Sequence, residues 1–263
     1  MRLAAIFPPS QAPERLLPVA AAAEDSGLAE LWVWEDCFSE SGIATATAIL
    51  AATSHVRVGI GLLPAPLRNV ALTAMELATV GRLFPGRLVA GVGHGVQEWM
   101  GQVGARVESP VTLLREYTAA LRALLHGEQV STSGRYVQLD RVALDWPPAV
   151  VPPLLVGAIR PRTVALAGEL ADGLILPGEL SLDDVQDAVG HFRGARPASR
   201  GGPADVVVFT SASAGGPAAG IAAAVSEYGR AGATCVAVNV AERDADLEKF
   251  VSFLAREVKP LTA

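Results

Sequence analysis

His94 stands between glycines in Gly91-Val92-Gly93-His94-Gly95, with Gln97, Glu98 and Trp99 just beyond. An imidazole changes charge near neutral pH, so His94 suits proton transfer, with Glu35 or Glu98 as the alternative acid or base. Glu35 belongs to a second group, Trp34-Glu35-Asp36-Cys37-Phe38. There Asp36 reads as a ligand contact or a helix cap, and Cys37 as a small packed residue with no base beside it. A third group is Gly157-Ala158-Ile159-Arg160-Pro161-Arg162-Thr163. Free N–H groups at a helix start plus two arginines make an anion site there. The remaining histidines, His55, His126 and His191, fall away from these groups.

Several chemistries are excluded by what the sequence lacks. There is no HExxH and no Cys/His cluster, so no metal site is expected. There is no GxxxxGK[ST] loop and no GxSxG elbow. The glycine turn at 91–95 fails the dinucleotide fingerprint, which wants glycine where Val96 stands and sits near the first strand of its unit. Lys249 and Lys259, the only lysines, lie in the final helix or just beyond it, which argues against a Schiff-base lyase. A net charge of −6 argues against nucleic acid. The apolar runs fall well short of the roughly 20 residues a membrane helix needs. Leu3 to Phe7 is too short for a signal segment, and two cysteines far apart in sequence fit a reducing cytoplasm.

The elements that must position these groups alternate along the chain. Apolar runs at Leu3–Phe7, Leu31–Trp34, Val56–Gly61, Leu88–Val92, Leu154–Val156, Leu174–Leu176, Val206–Phe209 and Thr234–Val240 predict strands. Helical patterns follow each: Pro13–Ser26, Ile43–Thr53, Val70–Leu83, a helix opening at Ser109-Pro110, Arg162–Leu170, one opening at Ser181, Ala218–Gly229 and Ala245–Val258. Eight strand–helix pairs in 263 residues predict a single-domain α/β protein, a closed (β/α)8 (TIM) barrel over residues 1–263. A β-hairpin insertion around Ser133-Gly134-Arg135 is expected before the fifth barrel strand, on the stabilising, N-terminal side of the barrel. In such a barrel chemistry belongs to the C-terminal strand ends. All three groups fall at those ends, joined by Gly61-Leu62 after the third strand and Pro177-Gly178 after the sixth.

These rim segments carry a family resemblance. Trp34-Glu35-Asp36-Cys37-Phe38 resembles the acidic-histidine-aromatic motif of luciferase-like oxidoreductases, and Arg68-Asn69-Val70 resembles their Arg-x-x-Pro. Ala78-Thr79-Val80 through Pro85-Gly86-Arg87, the glycine turn at 91–95, and Gly168-Glu169-Leu170-Ala171-Asp172-Gly173 are similar to further family motifs, in the same order. The sequence is most similar to the branch that uses the deazaflavin coenzyme F-420 (F420), with FMN as the alternative cofactor.

The resemblance implies a cofactor ring over the barrel mouth, contacted by Asp36, Gly93 and His94, and a non-prolyl cis peptide at Gly61–Leu62 behind it. It implies a phosphate site at Gly157, Ala158, Ile159, Arg160, Arg162 and Thr163, walled by Pro177 and Gly178. It also implies hydride transfer to or from a small organic substrate, and a homodimer through the second and third helices. The sequence departs from sugar-phosphate-oxidising relatives at Cys37, where they carry histidine, and in a short loop at 210–216. An FMN-dependent reductase or monooxygenase, or a barrel that binds the cofactor without turnover, are the other readings.

Overall fold

A computed structural model describes residues 1–262. Eight parallel strands close into a barrel: β1 (Arg2–Phe7), β2 (Glu30–Val33), β3 (Arg57–Pro64), β4 (Leu88–Gly93), β7 (Leu154–Gly157), β8 (Gly173–Leu176), β9 (Asp205–Ala212) and β10 (Cys235–Val240). The ring closes where β1 pairs with both β2 and β10. Helices α1 (Leu16–Ser26), α2 (Gly42–Ala52), α3 (Val70–Leu83), α5 (Pro110–Leu125), α6 (Pro161–Leu170), α7 (Leu182–Ala195), α8 (Ala218–Arg230) and α9 (Leu247–Phe253) follow the strands.

Local chemistry sets the helix ends. Asn69 caps α3 by accepting from Ala71 N at 2.9 Å, and Ser181 opens α7 with a reciprocal capping box to Asp184. Pro110 and Pro161 take first-turn positions, where no N–H is needed. Gly27, at φ 74°, ends α1 in the left-handed conformation. Sequence patterning missed α4 (Gln97–Gln102), a short helix inserted after β4. Its single buried residue, Met100, leaves no stripe to detect.

Two apolar layers result. The larger lies between strands and helices; the smaller fills the barrel with Ala4, Ile6, Trp32, Val89, Leu155, Ile175, Val207, Cys235 and Ala237. Alternate residues of each strand point inward, as the two-residue period requires. The lower end is plugged by charge. Glu30, 1 % exposed, accepts from Trp32 Nε1 at 2.7 Å, Arg57 at 3.1 Å and Arg2 at 3.2 Å, and Arg2 also pairs with Asp205. That plug stiffens the end opposite the chemistry.

The hairpin β5–β6 (Val130–Ser133 and Gln138–Val142) is present, but its placement corrects the sequence expectation. It leaves the lower end and climbs back along α5, so its tip reaches the upper end. The cause is Glu116, whose carboxylate accepts from the backbone N of Arg135, Tyr136 and Val137 at 2.8–3.0 Å. Tyr136 Oη then accepts from Ser109 N at 2.9 Å, at the start of α5. The hairpin therefore braces the segment that returns from the barrel mouth.

Candidate active site

The mouth is built from inward residues at the strand ends. On β3, β4 and β7 Gly61, Gly93 and Gly157 line it: Phe209 fills the space beside Gly61, where a Cβ would lie 2.4 Å from its ring, and Leu62 fills the space at the other two. A Cβ on Gly93 or Gly157 would lie 2.5 or 2.2 Å from Leu62 Cδ2. Leu62 reaches this position because β3 carries an extra residue against β4 between Ile60 and Leu63. The Gly61–Leu62 peptide is cis. A second cis bond joins Cys37 to Phe38. The half-buried Leu62 thus forms an apolar shelf across three strands.

Beside the shelf, Gly157-Ala158-Ile159 leads straight into α6. Its N-cap, Arg160, makes no side-chain cap. Arg160 and Arg162 are exposed and form no ion pair among the described residues, while Thr163 is buried. Gly178 packs against β9, where a Cβ would lie 2.1 Å from Phe209 O. The residues predicted for a phosphate site are therefore contiguous, and their charge is unspent.

His94 is half-buried, and its Nε2 is closed to solvent with no hydrogen-bond partner. Burial lowers its pKa below the usual 6.5, so the neutral imidazole prevails at neutral pH. Just past it, α4 is held down by Met100, in contact with Gly95, and by Arg106, which donates to Gln97 O at 2.7 Å. Trp99 is half-buried on α4, and Glu98 is exposed.

The loop after β2 divides its acids. Asp36 is half-buried, and burial raises its pKa. Glu35, the alternative acid or base of the sequence, is held by its neighbours. It is 8 % exposed and accepts from Arg68 Nε and Nη2 at 2.9 and 3.0 Å and from Gly42 N at 2.7 Å. Both oxygens are taken up in tying the wall together. Burial, then the charges of Glu35 and Asp36, push the Cys37 thiol up, which keeps it protonated and poorly nucleophilic.

Three residues escaped the sequence reading as site members. Glu40, with a pKa raised by burial, has one unpartnered oxygen. Phe209 and Asn239 are the inward residues above Val207 and Ala237, and the alternation along β9 and β10 was the signal that could have found them. No group of three or more His, Cys, Asp or Glu side chains arranged to hold a metal occurs among the described residues. No described helix is long and apolar enough to cross a membrane. The cleft of about 850 Å³ between α7 and α8 lies on the helical exterior, away from these groups.

Comparison with known proteins gives the family and the fold. The profile described as luciferase-like monooxygenase matches residues 2–256. A 5,10-methylenetetrahydromethanopterin reductase of Methanolobus tindarius is 27 % identical over 194 residues, covering 72 % of this chain and 59 % of that protein. An F420-dependent glucose-6-phosphate dehydrogenase of Kineococcus radiotolerans is 32 % identical over 187 residues, covering 65 % of this chain and 55 % of that protein. The chain thus spans little more than half the length of these relatives. Among solved structures, an F420-dependent secondary alcohol dehydrogenase in complex with an F420-acetone adduct superposes with a TM-score of 0.89. It is 16 % identical and covers 100 % of this chain and 99 % of that one, a likeness of fold.

Proposed function

Because the chain belongs to the luciferase-like monooxygenase family, we propose that it is an oxidoreductase that binds F420 at the barrel mouth and moves hydride to or from a small organic molecule. One juxtaposition carries the proposal. The Leu62 shelf, a flat apolar support, ends at Gly157, three residues before the uncapped start of α6 with its two unpaired arginines. A flat ring joined to a phosphate asks for that pair of features. The glucose-6-phosphate dehydrogenase and the alcohol dehydrogenase are both named for F420, which supports the deazaflavin over FMN.

When bound, F420 supplies a ring carbon that takes up or gives up hydride. The protein's part is orientation and the proton. Leu62, backed by Gly61, Gly93 and Gly157, supports the ring. Ala158, Ile159, Arg160, Arg162 and Thr163 hold the phosphate, with Pro177 and Gly178 as the side wall. Asp36 contacts the ring from the β2 side. His94, neutral and with a free Nε2, holds or delivers the proton. Glu98 stands in reserve on α4, and Glu35 braces the wall.

The decisive assay follows the deazaflavin absorbance of the loaded protein, with alcohols and aldehydes as hydride donors. The reduced cofactor is then tested against ketones, imines and activated alkenes. Turnover in either direction supports the reading; none in either direction, with cofactor bound, refutes catalysis. Turnover with FMN alone would reassign the cofactor.

The exposed Leu72, Met75 and Leu83 of α3 support a homodimer through α2 and α3. Met75→Asp is expected to yield monomers by light scattering. Two free cysteines fit a cytoplasmic location.

A further inference from the structure

The side of the mouth away from α6 is polar in a particular way. Trp34, just past β2, and Asn239, on β10, lie on the two strands that flank β1, and Phe209 lies on β9 beside β10; Trp34 and Phe209 pack on the inner cluster with rings 5.8 Å apart, and Asn239 follows inward Ala237 by strand alternation. Trp34 Nε1–H and Asn239 Oδ1 have no hydrogen-bond partner and are closed to water. The same strands satisfy their polar atoms lower down, where Trp32 Nε1 donates to Glu30 at 2.7 Å and Cys235 Sγ lies 3.4 Å from the same carboxylate. Leaving a buried donor or acceptor unmet is costly in a folded protein. Two such atoms at the mouth end point to a polar binding wall.

Their chemistry defines the ligand. One atom donates and the other accepts. No inward residue around them carries charge: the neighbours are Ile6, Phe209 and Ser211. The acids of the adjoining loop, Asp36 and Glu40, oppose an anion, and the cation beyond β10, Arg243, is exposed. Strands β2 and β10 are separated by β1 alone, so their axes are about 10 Å apart. Both side chains reach inward across that gap.

We propose that Trp34 and Asn239 form the substrate-binding wall, selecting a neutral group that both accepts and donates a hydrogen bond, a hydroxyl or carboxamide, over a phosphate or carboxylate. This rests on the reading that the mouth is the active site. Substrate entry displaces the rim side chains that now seal both atoms.

The four tryptophans give four indole N–H signals in a ¹⁵N correlation spectrum, with Trp34 assigned by Trp34→Phe. Trp32 is the internal control, since its N–H is already engaged. The full-length protein is titrated with isobutyramide, and separately with isobutyrate of the same shape, with and without F420. The proposal predicts that isobutyramide moves the Trp34 signal downfield and leaves Trp32 in place. It also predicts binding about ten-fold weaker in Asn239→Leu, the loss of one hydrogen bond. A Trp34 signal that ignores isobutyramide, or answers isobutyrate equally, overturns it. F420 bound with Trp34 silent overturns this proposal alone. Trp34 responding in a protein that cannot bind F420 supports it and removes the F420 reading.

Discussion

Arg68 grips Glu35 through two parallel hydrogen bonds, at 2.9 and 3.0 Å, and so ties the β2 rim loop to the start of α3. The guanidinium is 13 % exposed and the carboxylate 6 %. Removing the carboxylate leaves a largely buried cation with Glu76 as its remaining partner. Glu35→Ala is expected to cost about 3 kcal/mol in denaturant unfolding, and Glu35→Gln less. A Glu35→Gln protein that folds and binds F420 normally yet loses turnover a hundred-fold would return Glu35 to the catalytic role.

Leu62 occupies the space a side chain at Gly157 would need. Gly157→Ala forces the flexible end of Leu62 aside and disturbs the shelf. The expected cost in stability is modest, about 1–3 kcal/mol, while F420 affinity falls about ten-fold or more. Unchanged affinity would show that the shelf does not support the ring.

Arg160 and Arg162 form no ion pair among the described residues. Each alanine substitution should weaken F420 binding about ten-fold at low salt, in line with loss of a charge-assisted hydrogen bond. A deazaflavin lacking the phosphate should bind both variants as it binds the parent. Equal losses for both ligands would place the arginines elsewhere in the mechanism.

Burial acts on His94 and Asp36 in opposite senses. The folded pKa of His94 lies below the unfolded value, so the unfolded chain binds more protons between the two. Stability falls as pH drops through 6.5 toward the folded value. A limb of the kcat/KM profile should have its midpoint below 6.5 and vanish in His94→Asn, with kcat down at least about a hundred-fold. A midpoint above 6.5 would exclude His94 as its source.

The folded pKa of Asp36 lies above its usual 3.8, so its ionised form opposes folding at neutral pH. Asp36→Asn should raise the neutral-pH Tm, with the gain fading in acid, and lower F420 affinity. A lower Tm at neutral pH would mean that Asp36 is stabilised by partners in the folded protein.

Strand and helix periodicity made the barrel legible, because eight apolar runs alternate with eight helical stripes; α3 falls on the predicted Val70–Leu83. The anion site proposed at α6 can be read from the sequence because its residues are consecutive. What escaped depends on contacts between distant segments. Alternation with Asp36 turns Glu35 toward the wall, but its partner Arg68 lies 33 positions away, where no local spacing announces it. The hairpin looked remote until Glu116 drew its tip upward. Asn239 falls at the rim end of the last barrel strand in the sequence, and only the closed barrel shows its oxygen to be buried and unpartnered among the described residues.

The central claim is tested most directly by titrating the purified protein with F420 and, separately, with FMN, following absorbance and fluorescence. The account predicts saturable binding of F420, weakened by Arg160→Ala and Gly157→Ala, and no comparable binding of FMN. Failure of a folded protein to bind F420 would contradict it.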